Sequence, residues 1–138
     1  MVDTLATRMR NMNKMTNVVS IYIGYSKNQG GFARRSTLLA PTDDSQIIFD
    51  AILDIYRQYI KDMPIRMVGV CYGGLVDSSY QQLDMFEDDK KQINRRNLQK
   101  TLDLLQTKYG KNSVLRASSL LEESTIRERN EFIGGHRK

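Results

Sequence analysis

The sequence is short of the residues that most enzyme active sites require. There is one cysteine, Cys71, in 138 residues, so no disulfide framework can form within the chain, and a reducing, cytoplasmic compartment is expected. The one histidine, His136, lies near the C-terminus. That excludes a His-rich metal site and most His-based catalysis from these residues. No run of 18 apolar residues occurs, so no membrane-spanning helix is expected. The N-terminus lacks the apolar core of a signal peptide. Internal repeats and low-complexity tracts are absent too.

What is present suits one small domain with an appendage. Hydrophobic residues make up 40% of the chain, and the net charge is +5 with an isoelectric point near 9.4. A charge of this size is compatible with nucleic acid without requiring it. Residues 2–15 carry Val2, Leu5, Met9, Met12 and Met15 at helical spacing, with charged residues between them. Residues 18–25 alternate as a strand, with Val19, Ile21, Ile23 and Tyr25 on one face. Turn chemistry at 27–31 leads into a second strand, Phe32 to Leu39, on which Arg34 and Arg35 fall on opposite faces.

Pro41 to Ser45 reads as a loop ending in helix-capping residues. A helix to about Lys61 follows, with Ile48, Ala51, Ile52, Ile55 and Tyr59 as its core stripe, and then a strand from Ile65 to Leu75. Cys71 is expected as a small core residue of that strand. Asp43 and Asp44 read as acidic residues at a helix start rather than as a metal pair. The order predicts an α+β fold, a small antiparallel sheet of three strands with two helices on one face, followed by a helical C-terminal tail. In that tail a helix is expected over about 89–109, with Leu98, Leu102, Leu105 and Tyr109 as its apolar stripe, and a second over about 121–132. The expected boundaries are 1–79 for the sheet domain, 80–89 for a linker and 90–138 for the tail.

The linker holds Gln82-Leu83-Asp84-Met85-Phe86. Three apolar residues beside a Gln either pack on the chain's own core or are offered to a groove on a partner. The peptide looks like the one by which bacterial polymerases and repair proteins hold the sliding clamp. Other stretches follow the same order as a known family: Ser20 to Ser26, Gly30 to Leu38, Pro41 to Ser45, Arg66 to Val70, Leu115 to Leu120, and Ile133 to His136. Together they resemble the C-terminal region of Y-family lesion-bypass DNA polymerases, in the UmuC/ImpB/MucB/SamB branch.

The resemblance implies a little finger domain that grips primer–template DNA beside the palm, in a protein serving DNA repair and the SOS response. It implies a four-stranded sheet whose opening strand is not among these residues. The parent protein would be a nucleotidyltransferase with Mg²⁺ in its palm, and this portion would be non-catalytic, with no metal of its own. Clamp contacts would fall to Gln82, Leu83, Met85 and Phe86. DNA contacts would fall to Lys27, Arg34, Arg35, Ser36 and Thr37, which are otherwise an ordinary solvated face. A two-stranded ribbon fits the major groove, and phosphate-directed contacts suit an enzyme that must tolerate damaged bases. An open sheet edge would invite a second copy of the chain or cover by the tail. A stand-alone, non-catalytic clamp-binding adaptor is the competing reading.

Overall fold

The computed structural model describes residues 1–26, 30–78, 89–133 and 136–137. They fall into two units, Met1–Arg96 and Asn97–Lys138. The first holds helix α1 (Val2–Asn11), strands β1 (Lys14–Tyr25) and β2 (Gly31–Thr42), helix α2 (Ser45–Tyr59) and strand β3 (Ile65–Asp77). The strands form an antiparallel sheet in the order β2-β1-β3. This is the expected α+β arrangement.

The alternation of β1 decides where the core sits. Val19, Ile21, Ile23 and Tyr25 point to one face and are buried there with Met9 of α1 and Ile48, Ile52 and Ile55 of α2. Ile48 recurs at Ile52 and Ile55, the spacing that lines one side of a helix. Asp44 caps α2, its carboxylate accepting from the backbone N–H of Gln46 at 2.7 Å and of Ile47 at 3.4 Å. The two helices are tied by Arg10, whose guanidinium is buried and donates to the Asp43 carbonyl at 2.7 Å and to the Ser45 hydroxyl at 3.1 Å. The Tyr72 hydroxyl donates to the Val2 carbonyl at 2.9 Å, which ties β3 to the start of α1. Burial, and secondarily Asp3, pushes the Tyr72 phenol well above its ordinary value, so it stays a donor.

Several boundaries differ from the sequence reading. The first helix stops at Asn11 rather than near residue 15, because Asn13 adopts a left-handed backbone (φ 51°) that ends it. Met15 is therefore a buried strand residue, while Met12 lies exposed in the turn. The second strand runs on through Pro41 and Thr42, which the sequence suggested as loop. Proline is tolerated there because β2 is an edge strand. The third strand reaches Asp77, and Gly74 within it has φ +56°, where a Cβ would run into the Asn17 side chain. Cys71 is exposed, not a core residue. It pairs with Ser20, so it lies on the side of the sheet away from the helices.

The helix α3 spans Asp89–Tyr109, and the boundary between the two units falls within it. Of its apolar stripe, Leu102 and Leu105 are half-buried, whereas Leu98 and Tyr109 are exposed. In the second unit a 3₁₀ turn follows at Ala117–Leu120. The helix expected over 121–132 is only one turn, α4 (Ile126–Arg129), and the chain then forms a small hairpin of β4 (Phe132–Ile133) and β5 (His136–Arg137). Four residues give too few backbone hydrogen bonds to propagate a helix without support from packing.

Truncating Ile48, which is fully buried, to Ala is expected to cost about 2–5 kcal/mol of stability. Leu39→Ser, at a fully exposed site, should stay within about 0.5 kcal/mol. Urea unfolding of the two variants checks both values.

Candidate nucleic-acid interface

Within the first unit, the side of the sheet away from α1 and α2 is uncovered among the described residues, with Tyr22, Arg35, Met67 and Cys71 exposed on it. Register places Tyr22 between Ala33 and Gly69, Ser20 between Arg35 and Cys71, and Gly24 between Gly31 and Met67. Along β2 the exposed positions alternate as Ala33, Arg35, Thr37 and Leu39. Small residues dominate the centre of this face, and Tyr22 and Met67 stand up from it as exposed side chains. A flat face built this way lets an extended ligand approach the backbone closely.

Charge is unevenly spread over the elements of the first unit. The three strands contain Lys14, Arg34, Arg35 and Arg66 against one acidic residue, Asp77. Asp77 is already engaged, its carboxylate accepting from Lys14 Nζ at 2.7 Å. The acidic groups gather by α2 instead: Asp43 and Asp44 before it, Asp50 and Asp54 within it. Asp43 Oδ2 lies 3.1 Å from Arg96 Nε. No group of three or more His, Cys, Asp or Glu among the described residues is placed to hold a metal ion.

The residues singled out from sequence are not all on one surface. Arg35 and Thr37 are exposed on the uncovered face. Arg34 projects to the other side, where its guanidinium stacks on the Tyr59 ring at 5.0 Å from the centroid. Such a contact at an exposed site is worth about 0.5–1 kcal/mol. The ring of Tyr59 in turn meets Phe32 at 6.2 Å, and Phe32 meets Tyr25 at 6.4 Å, so Arg34 finishes an aromatic row along the hairpin. Ser36 is half-buried on the same side as Arg34. Lys27 lies outside the described residues, as do Gln82, Leu83, Met85 and Phe86.

Residues of the uncovered face that sequence reasoning did not select are Tyr22, Met67, Cys71 and Arg66. The alternation of β1 carried the signal for Tyr22, since every neighbour at two-residue spacing from Val19 to Tyr25 is apolar and inward. The three glycines of β3 were visible only as interruptions.

A three-stranded antiparallel sheet backed by two helices, with Lys14, Arg34, Arg35 and Arg66 against Asp77 on its strands, defines a small α+β domain. The C-terminal domain of the impB/mucB/samB family matches residues 1–85, and the chain belongs to that family. Among its curated relatives is a putative UV-damage repair protein, UvrX, of Bacillus subtilis. It is 34% identical over 137 residues, covering 98% of this chain and 32% of the relative. DNA polymerase IV 2 of the same organism is 30% identical over 108 residues, covering 78% of this chain and 26% of the relative. DNA polymerase IV of Pelotomaculum thermopropionicum is 32% identical over 98 residues, 70% of this chain and 24% of the relative. The chain thus spans a third or less of the length of these relatives.

The placement of Cys71 is directly testable. Its thiol should react completely with Ellman's reagent in the folded protein without denaturant. A thiol that reacts only after urea is added would return it to the core.

Proposed function

We propose that this chain is the DNA-gripping and clamp-attaching portion of a lesion-bypass DNA polymerase that acts in DNA damage tolerance. The observation that carries the DNA part is the uncovered, acid-poor sheet face with Arg35 and Thr37 on it, where Asp77 is paired with Lys14. Guanidinium and hydroxyl groups on a flat backbone suit phosphates, and they hold a duplex without reading its sequence. This is the grip that an enzyme copying past damaged bases requires. Its relatives named as DNA polymerases and as a UV-damage repair protein support the reading. Polymerisation itself, with its Mg²⁺, would belong to a palm elsewhere in the longer protein, and the site of action would be the cytoplasm, where bacterial DNA lies. No helix among the described residues is long and apolar enough to cross a membrane.

On this reading Arg35→Ala weakens binding of a primer–template duplex and flattens its salt dependence. Removing one cation from a phosphate lowers the slope of log K against log salt by about 0.9. Arg34→Ala, whose guanidinium is occupied by Tyr59, should have the smaller effect. Equal binding by wild type and Arg35→Ala across a salt series would place the DNA-binding surface elsewhere.

The clamp part rests on the peptide Gln82 to Phe86, which follows β3 in the chain. Gln82 would satisfy polar groups at a pocket rim, while Leu83, Met85 and Phe86 fill an apolar groove. Each buried apolar side chain is worth roughly 1.5–3 kcal/mol. A micromolar interaction totals about 8 kcal/mol. Replacing Leu83 and Phe86 together by Ala should therefore abolish binding to the bacterial sliding clamp and leave the melting temperature unchanged. A lowered melting temperature without any clamp binding by the wild type would show that these residues pack on the chain's own core. A second copy of the chain pairing along β3 is the further partner this reading allows, since β3 is an edge strand among the described residues. The adaptor reading keeps the same two contacts without a polymerase attached.

A further inference from the structure

The match to the impB/mucB/samB domain ends at residue 85, and helix α3 begins beyond it, at Asp89. From Lys90 to Leu102 there are five basic residues, Lys90, Lys91, Arg95, Arg96 and Lys100, and no acidic one. Within a helix this pattern is costly. The first turn favours acidic groups, yet Lys90 and Lys91 stand there. Lys91 and Arg95 are four residues apart, a spacing at which like charges repel. Neither Arg95 nor Arg96 has an acidic residue three or four positions away. A sequence that sets such local preferences aside gains something elsewhere.

The four cations nearest the start of α3 have two different surroundings. Lys90, Lys91 and Arg95 are exposed. Arg96 turns inward instead, and its Nε lies 3.1 Å from Asp43 Oδ2, with the two side chains 21% and 13% exposed. An ion pair so sheltered is screened by salt far less than a surface pair. Asp43 is fixed in turn. Its carbonyl accepts from the buried Arg10 guanidinium at 2.7 Å, and it stands directly before Asp44, the cap of α2. It also follows Thr42, which pairs with Thr16 at the end of the sheet opposite the Gly24–Gly31 pair. All these residues belong to the first unit, as the sheet does. The Asp43–Arg96 pair therefore sets the opening turns of α3 at that end of the sheet and leaves their other cations facing solvent.

We infer that the opening turns of α3 are a second DNA contact, in which Lys90, Lys91 and Arg95 meet backbone phosphates while Asp43 and Arg96 hold the helix in place. Ammonium and guanidinium groups are strong donors to phosphate oxygens, and they take hold of a backbone without reading its bases. Asp43 and Arg96 are positioning residues here, since the contact itself falls to the exposed three. The inference rests on the DNA reading of the uncovered sheet face and adds to it a contact outside the matched domain.

The test uses the full chain and a fluorescein-labelled primer–template duplex, titrated by anisotropy across a salt series. Each cation on a phosphate contributes about 0.9 to the slope of log K against log salt, so replacing Lys90, Lys91 and Arg95 together by Gln should reduce the slope by about 2.7. Lys91→Gln alone should reduce it by about 0.9. Gln is nearly as good a helix former as Lys or Arg, so the melting temperature should not change. The charge-keeping exchange Lys90→Arg, Lys91→Arg and Arg95→Lys should leave the slope as in the wild type. Asp43→Asn separates anchoring from bulk charge: removing an acid tightens DNA binding if net charge alone counts, whereas losing the anchor weakens it, and weakening is expected. Asp54→Asn, at an exposed site of α2, should not weaken binding. An unchanged slope for the triple Gln variant, or a reduced one that comes only with a lowered melting temperature, would overturn the second contact. Binding by Asp43→Asn as tight as the wild type or tighter would overturn the anchor. A reduced slope for Arg35→Ala in the same series would leave the DNA reading standing in either case, and a wild-type chain that binds no duplex would overturn both.

Discussion

The packing of one face of β1 on α2 is the constraint from which the rest follows. Val19, Ile21 and Ile23 are almost wholly buried, and they meet Ile48, Ile52 and Ile55 from the helix. Because β1 is the central strand, its register sets which residues of both neighbours turn away from the helices. A shift of one residue would send the apolar set outward and bring Tyr22 and Ser20 into the core. The same alternation that buries the isoleucines therefore delivers Tyr22, Arg35, Gly69 and Cys71 to the opposite side. Core and candidate interface are two consequences of one periodicity.

Charge is unevenly distributed among the elements as well. Asp43, Asp44, Asp50 and Asp54 stand at or within α2, and the strands carry Lys14, Arg34, Arg35 and Arg66 against Asp77. An exposed ion pair such as Lys14 with Asp77 contributes little to stability, at most about 1 kcal/mol. Arg10 is the exception, since it is buried and holds α1 to the start of α2. Arg34 and Arg35, adjacent in sequence, have unlike surroundings: one closes an aromatic row over Tyr59 and the other faces solvent over the flat sheet.

Much of this was legible in the amino-acid sequence. The isoleucine spacing of α2, the alternation of β1 and the opposite facing of Arg34 and Arg35 are local periodicities, and local periodicity survives folding. The boundaries at Pro41 and Asp77 were not legible, because each depends on pairing with a strand distant in sequence, and the helix end at Asn13 rests on a left-handed backbone that an apolar periodicity does not show. The exposure of Cys71 was missed for a similar reason. A small thiol in an apolar strand reads as core until the register with Ser20 shows which side it takes. The bulge at Arg66, which stands between the pairs Gly24–Met67 and Tyr25–Ile65, is invisible without the ladder, since no residue type announces it. The tail misled because a polar segment with scattered apolar residues reads as a helix, whereas only one turn forms at Ile126–Arg129.

The central claim is that the uncovered side of the sheet is the surface that meets DNA. Amide-resolved NMR titration of the chain with a primer–template duplex, at low and at high salt, tests it most directly. The account predicts that perturbed amides cluster at Ser20, Tyr22, Gly24, Arg35, Thr37, Met67, Gly69 and Cys71, and that the perturbations fade as salt rises. Perturbations gathered instead on the solvent side of α2, at Gln46, Asp50, Asp54 and Arg57, would contradict it.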